Sequence, residues 1–245
     1  MATGSWHRID IAGKPADVYD PPTAPRFGIL DLHPVGLETL AHNPTFSRLF
    51  DELGLACICP HGARSWWTDR ICPEFDDRLS AERHLLNNVL PVFGTRWHLR
   101  PPAIAVTGIS MGGQGALRLA FRHAKVFPVA AAISAAIDFH ERHGQGSPLD
   151  DMYDSKEQAR QDTVILHVNP SAFPPHVFFC IDPDDVEWFR GNDRLHEKLT
   201  ALGLPHTCDL TTRGGGHTWT YFNAQADRVL RFAVAGLEQV SRRLL

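Results

Sequence analysis

The chain has 245 residues, 43% hydrophobic and 21% charged, with 14 Phe, 6 Trp and 3 Tyr to furnish a core. That composition excludes a disordered or low-complexity protein and fits a single α/β domain over residues 1–245. The 24 basic against 28 acidic residues leave a formal net charge of −4, which argues against a nucleic-acid binder that works by neutralising phosphates.

Short apolar runs alternate with helical patterns along the chain, the signature of a parallel sheet with crossover helices. Trp6–Ile11 and Ala16–Tyr19 flank Gly13-Lys14 and read as an opening hairpin. Phe27–Leu32 reads as a strand, Pro44–Leu53 as a helix stopped by Gly54, and Leu55–Cys59 as a buried strand ended by Pro60. Ser80–Val92 has helical spacing with Ser80 as its cap. Ile104–Thr107 is a strand and Gly112–His123 a helix. Val129–Ile137 reads as a strand, although its alanines also suit a helix. Residues 139–176 are polar and rich in proline, and read as an insertion-like crossover beside one edge of the sheet. Val177–Ile181, the helix Asn192–Leu202, the strand His206–Thr212 and a terminal helix Asn223–Leu245 complete the order.

No apolar run approaches the ~20 residues a bilayer span needs. The opening Met1–Arg8 lacks a basic stretch followed by an apolar one, so no secretory leader is expected. The five cysteines, Cys57, Cys59, Cys72, Cys180 and Cys208, are odd in number and sit mostly in apolar runs. They read as buried free thiols of a cytoplasmic protein rather than a disulfide framework. Among the 14 histidines no metal-binding spacing stands out. His140 and His143 are i, i+3, but nothing nearby completes a ligand set.

The strongest chemical signal is Gly108-Ile109-Ser110-Met111-Gly112, which follows an apolar strand and opens a helix. Gly-x-Ser-x-Gly in that setting is the nucleophile elbow. Its glycines relieve the crowding of a sharp turn, which lifts Ser110 above the C-terminal edge of the sheet. The first amide of the helix, that of Met111, then faces the place where negative charge develops. A serine hydroxyl needs a base, and in such folds the order along the chain is Ser, acid, His. His217, after Gly214-Gly215-Gly216, fits the base, whereas His196 and His206 read as structural or solvated. The acid falls in Asp182-Pro183-Asp184-Asp185, with Asp185 preferred, then Asp184 and Asp182, and Asp138 as an outside alternative. Pro34 has no N–H to donate. Val35 is therefore the first usable second oxyanion donor after Phe27–Leu32, and Gly36 the next.

Gly108–Leu117 (Gly-Ile-Ser-Met-Gly-Gly-Gln-Gly-Ala-Leu) and Gly215–Trp219 (Gly-Gly-His-Thr-Trp) resemble the esterase D group of α/β-hydrolases. That group includes S-formylglutathione hydrolases and feruloyl esterases, with mycolyltransferases as relatives. The resemblance implies an α/β-hydrolase fold, a mostly parallel central sheet flanked by helices, without a large cap domain. It extends from about Phe27 to the C-terminus. His61–Asp69 is similar to the segment after the family's next strand, where Trp and Asp support the rim of the site. Two features depart from the family: Asp-Pro-Asp-Asp stands where a Cys-Gly-x-x-Asp pattern is usual, and Pro34 where Gly is usual. Nothing specific marks a glutathione site.

Trp66, Trp67, Trp188 and Phe189 should border the C-terminal edge of the sheet. Trp67 and Trp188 are the preferred substrate contacts, and Arg64 could meet an acidic group. The function expected is that of a serine carboxylic ester hydrolase acting on small to medium acyl or aryl esters, thioesters included. The alternatives are an acyltransferase sharing its acyl-enzyme and a hydrolase scaffold that has kept only binding. A small-molecule ester is the expected partner. No cofactor, metal, nucleic acid or membrane is expected, and the sequence is silent on oligomeric state.

Overall fold

The computed structural model of the protein describes residues 3–243. An antiparallel hairpin of β1 (Ser5–Ile11) and β2 (Lys14–Asp20) opens the chain. Ala12 and Gly13 make its turn, both at positive φ, and Lys14 already pairs with Ile11. The turn therefore sits one residue earlier than the sequence suggested, because two consecutive left-handed residues match the twist of the strands they join.

Then follow β3 (Phe27–Leu32), α1 (Pro44–Leu53) and β4 (Leu55–Pro60). Asn43 caps α1 through its side chain and Gly54 closes it at φ 62°. A longer helical stretch begins at α2 (Ala81–His84), capped by Ser80, passes through a π-turn at Leu85–Val89 and continues as α3 (Leu90–Trp97). The sequence reading stopped it at Val92. Pro91 would break a regular helix. Here the wide turn just before it, with the Leu90 amide on the Leu85 carbonyl, absorbs the interruption.

The site is carried by β5 (Ile104–Ile109), α4 (Met111–Arg122) and β6 (Val129–Ile133). Strand β6 ends four residues before the sequence reading placed its end. Ser134 turns to φ 47° and sends its amide to the Cys180 carbonyl, which takes the chain out of the ladder. The crossover at 139–176 contains only α5 (Leu149–Met152), α6 (Lys156–Gln161) and three 3₁₀ turns. It does not form a separate cap domain. β7 (His176–Cys180), α7 (Phe189–Ala201), β8 (Thr207–Asp209) and α8 (Trp219–Arg242) complete the chain. Helix α8 starts four residues earlier than expected because Thr218 caps it. The last two residues of the helix read from sequence, 244–245, lie outside the described residues. Strand β8 is shorter than His206–Thr212 because the Asp209 carboxylate captures the amides of Thr211 and Thr212 and turns the chain.

The eight strands form one sheet in the order β1-β2-β4-β3-β5-β6-β7-β8. Every pairing from β4 to β8 is parallel, and the two pairings made by β2, with β1 and with β4, are antiparallel. Two apolar layers cover it. Phe46, Leu49 and Phe50 of α1 pack with Ala226, Leu230 and Leu237 of α8 on one face. Residues of α2–α4 and α7 fill the other. With both faces buried, the C-terminal ends of the parallel strands are where loops meet and a site can form.

Candidate active site

Ser110 stands alone between β5 and α4. Its backbone adopts φ 57° and ψ −116°, a conformation that costs a non-glycine residue of order 1–3 kcal/mol. The surroundings hold it there. The Ser110 amide donates to the Ile133 carbonyl at 2.9 Å, and its own carbonyl accepts from the Ala136 amide at 3.0 Å. Helix α4 also presses on the end of β3: a Cβ on Gly112 would lie 1.7 Å from the Leu32 carbonyl oxygen. Met111 opens α4, so its amide is among those without an intrahelical partner.

The Ser110 Oγ lies 2.9 Å from His217 Nε2, and His217 Nδ1 lies 2.6 Å from Asp185 Oδ2. The short contact to a carboxylate places the ring proton on Nδ1 and leaves Nε2 to accept from the serine. Asp185 is buried, and its other oxygen accepts from the Trp188 amide at 3.3 Å. The three aspartates of this turn separate by task. Asp184 points outward into an ion pair with Arg213. Asp182, fully buried, accepts the amides of Asp184, Gly214 and Gly216 at 2.8, 2.6 and 2.8 Å. Burial opposes its ionisation, but those three amides outweigh that and hold its carboxyl below the usual range. The glycine run before His217 is thus bolted to the acid turn rather than left flexible. Asp138 pairs with Arg194 and has no contact with His217.

The loop after β3 is fixed by a residue that the sequence reading passed over. His33 Nε2 accepts from the Gly62 amide at 2.9 Å, so Nδ1 carries the proton and donates to the Pro34 carbonyl at 2.7 Å. Burial lowers the His33 pKa to about 4, which keeps the ring neutral in this role. The only sequence signal was its place directly after an apolar strand. Val35, the next residue but one, lines the same cavity as Ser110.

That cavity holds about 300 Å³. Ser110 and His217 line it together with the aromatic Trp66 and Trp188 and with Arg64, Arg142, Ser147, Pro148 and Glu187. Of the two preferred tryptophans, Trp188 lines the cavity and Trp67 does not. Trp67 is 1% exposed, and its indole Nε1 donates to the His33 carbonyl at 3.2 Å. It also packs where a Cβ on Gly115 would meet it at 2.5 Å. Trp66 lines the cavity instead, stacked on Phe139 with ring centroids 5.3 Å apart. Both tryptophans sit at φ 54°, so consecutive left-handed residues send the two rings in directions that a sequence pattern does not foretell. Arg64 and Arg142 are each already paired, with Glu74 and Glu187.

The Esterase family model, described as "Putative esterase", matches residues 56–233, well over half the chain. No curated protein matches significantly in sequence. Among solved structures, an S-formylglutathione hydrolase from Agrobacterium tumefaciens superposes with a TM-score of 0.77 at 16% identity, covering 96% of this chain and 94% of that one. A ferulic acid esterase gives 0.75 at 16% identity over 95% and 99% of the two chains. Fluorophosphonate-binding serine hydrolase F of Staphylococcus aureus gives 0.77 at 16% identity, again over 95% and 99%. Fold and family together define an esterase on an α/β-hydrolase frame. The chain belongs to the Esterase family.

Proposed function

We propose that the protein hydrolyses small to medium acyl or aryl carboxylic esters through Ser110, His217 and Asp185. The observation that carries this reading is the unbroken line of hydrogen bonds from Ser110 Oγ through the His217 ring to Asp185. His217 Nε2 takes the proton as Ser110 Oγ attacks the ester carbonyl carbon. The oxyanion is held by the Met111 and Val35 amides. The bond to the alcohol breaks as His217 returns the proton to the departing oxygen, leaving an acyl-serine. Water, deprotonated by the same nitrogen, attacks the acyl carbon and frees Ser110. Asp185 keeps the imidazole in its Nδ1–H tautomer and stabilises the imidazolium.

The His217 side chain is 33% exposed, so water reaches the base. That favours hydrolysis over transfer to another alcohol. A cavity of about 300 Å³ is at the small end for ligand sites. Its apolar wall of Trp66 and Trp188 suits a short acyl or aryl group. The five unpaired cysteines support a reducing, cytoplasmic setting.

Ser110→Ala should lower p-nitrophenyl acetate turnover by at least about 10⁴-fold while the melting temperature stays native or rises. It should also abolish labelling by a fluorophosphonate. Turnover or labelling that survives the change would refute the proposal.

A further inference from the structure

A second cluster of ligating side chains lies between the edge strand β8 and helix α7. His206 and Cys208 are i, i+2 at β8 and so share one face of the strand. His196 reaches them from the third turn of α7. His196 Nδ1 lies 2.9 Å from His206 Nε2 and 3.2 Å from Cys208 Sγ, and all three ligating atoms fall within 4.8 Å of one another. We propose that His196, His206 and Cys208 form a three-ligand site for a borderline-soft divalent ion of the zinc class.

Three features argue for an ion at this place. The first is the direction of the lone pairs. His206 Nδ1 donates to the Leu204 carbonyl at 2.8 Å, so its Nε2 presents a lone pair to the cluster. A backbone carbonyl on the far nitrogen is the arrangement that orients a metal-binding imidazole. The second is spacing. Bonds of about 2.0–2.1 Å to nitrogen and 2.3 Å to sulfur at tetrahedral angles separate N and N by about 3.3 Å, and N and S by about 3.6 Å. Each observed separation needs to open by about 0.4 Å, within side-chain movement at half-buried positions. The third is an open face. A recess beside His196 and Cys208 is lined by Leu210, Thr211 and Arg228, whose guanidinium is paired with Asp209. The nearby Asp209 carboxylate is already taken by Arg228, Thr211 and Thr212. The fourth position is therefore left to water. With His196 in its Nε2–H tautomer, the one proton lost on binding is that of the Cys208 thiol.

An ion there would join α7 to β8, a three-residue edge strand whose outgoing loop carries His217. The role is one of anchoring and stands apart from the Ser110 chemistry.

The test uses the full-length protein stripped with a chelator, dialysed and titrated with Co²⁺. One equivalent should bind, with a thiolate-to-cobalt charge-transfer band in the near ultraviolet, and Zn²⁺ should displace it. Cys208→Ser should abolish the band. His206→Ala should weaken Zn²⁺ binding by at least about 100-fold, since loss even of a residue that only supports a ligand costs 10–100-fold. Zn²⁺ should raise the melting temperature of the wild type and leave that of Cys208→Ser unchanged. Circular dichroism of each variant separates a lost ligand from a lost fold, and the charge-transfer band of folded His196→Asn gives an independent check. The absence of stoichiometric binding, or binding and a band untouched by Cys208→Ser, would overturn the site.

Discussion

Two aspartates three residues apart have unlike tasks. Asp185 meets the ring of His217, whereas Asp182 meets backbone amides, that of Asp184 in its own turn and those of Gly214 and Gly216 in the loop that carries His217. Asp185→Asn should leave the melting temperature near native and cut turnover by about 10⁴-fold, because the wrong tautomer is held. Asp182→Ala releases three amides, two of them in the loop before His217, and misplaces His217. It should cost about 1–3 kcal/mol of stability and about 10²-fold in turnover. Melts and p-nitrophenyl ester kinetics on both variants decide the matter. If Asp182→Ala were the fully inactive, fully stable variant, the acid assignment would be wrong. Asp31 is a third case. It is buried in β3 with only Thr107 donating to it, and burial raises its pKa to about 7. Between its ordinary 3.8 and about 7 the folded state holds a proton that the unfolded chain has lost, so stability falls as pH rises through that window. Asp31→Asn should flatten that slope and gain on the order of 1–4 kcal/mol at pH 8. Urea unfolding at pH 5 and pH 8 tests it, and equal slopes for both proteins would contradict the assignment.

At the scale of elements, the elbow depends on how closely α4 approaches β3. Gly112→Ala places a methyl group against the Leu32 carbonyl, which cannot move without shifting the strand. A loss of more than about 4 kcal/mol, or no soluble protein, is expected. An intact, active Gly112→Ala enzyme would mean that α4 sits farther from β3. The existence and type of most elements were legible in the sequence, because caps such as Ser80 and closing residues such as Gly54 act locally. Ends set by distant partners were not. Strand β6 stops where Ser134 bonds across to Cys180, and β8 stops where the Asp209 carboxylate folds onto Thr211 and Thr212. Trp67, preferred as a substrate contact, is buried away from the cavity for the same reason, and Trp66 lines it. Gly115 and His33, remote in sequence, provide the slot that takes Trp67.

Across the whole molecule, a buried charge network ties α2 to α4 and to the crossover. Arg118, 1% exposed, meets Glu82 and Asp162, while Arg122 and His123 also reach Glu82. Burial alone would raise Glu82. The hydrogen bond from His123 and the charges of Arg118 and Arg122 overcome it and hold the pKa at about 2. Its contribution is complete above the ordinary value of 4.5 and is lost as pH falls toward about 2. Acid should therefore remove roughly 3 kcal/mol through this group. Glu82→Gln should be less stable at pH 7 and show a flatter profile from pH 5 to 2 by denaturant unfolding. A wild-type profile already flat in that range would count against the network.

The sequence by itself determined the elbow, the order of serine, acid and histidine, and the alternation of strands and helices. Each is written in neighbouring residues whose sterics and hydrogen bonds act over one or two turns of chain. Tertiary structure alone decided which aspartate faces the imidazole, which tryptophan walls the cavity, and that His196, His206 and Cys208 converge. Those outcomes rest on contacts between segments far apart along the chain, and side-chain direction there follows from packing that no local pattern encodes.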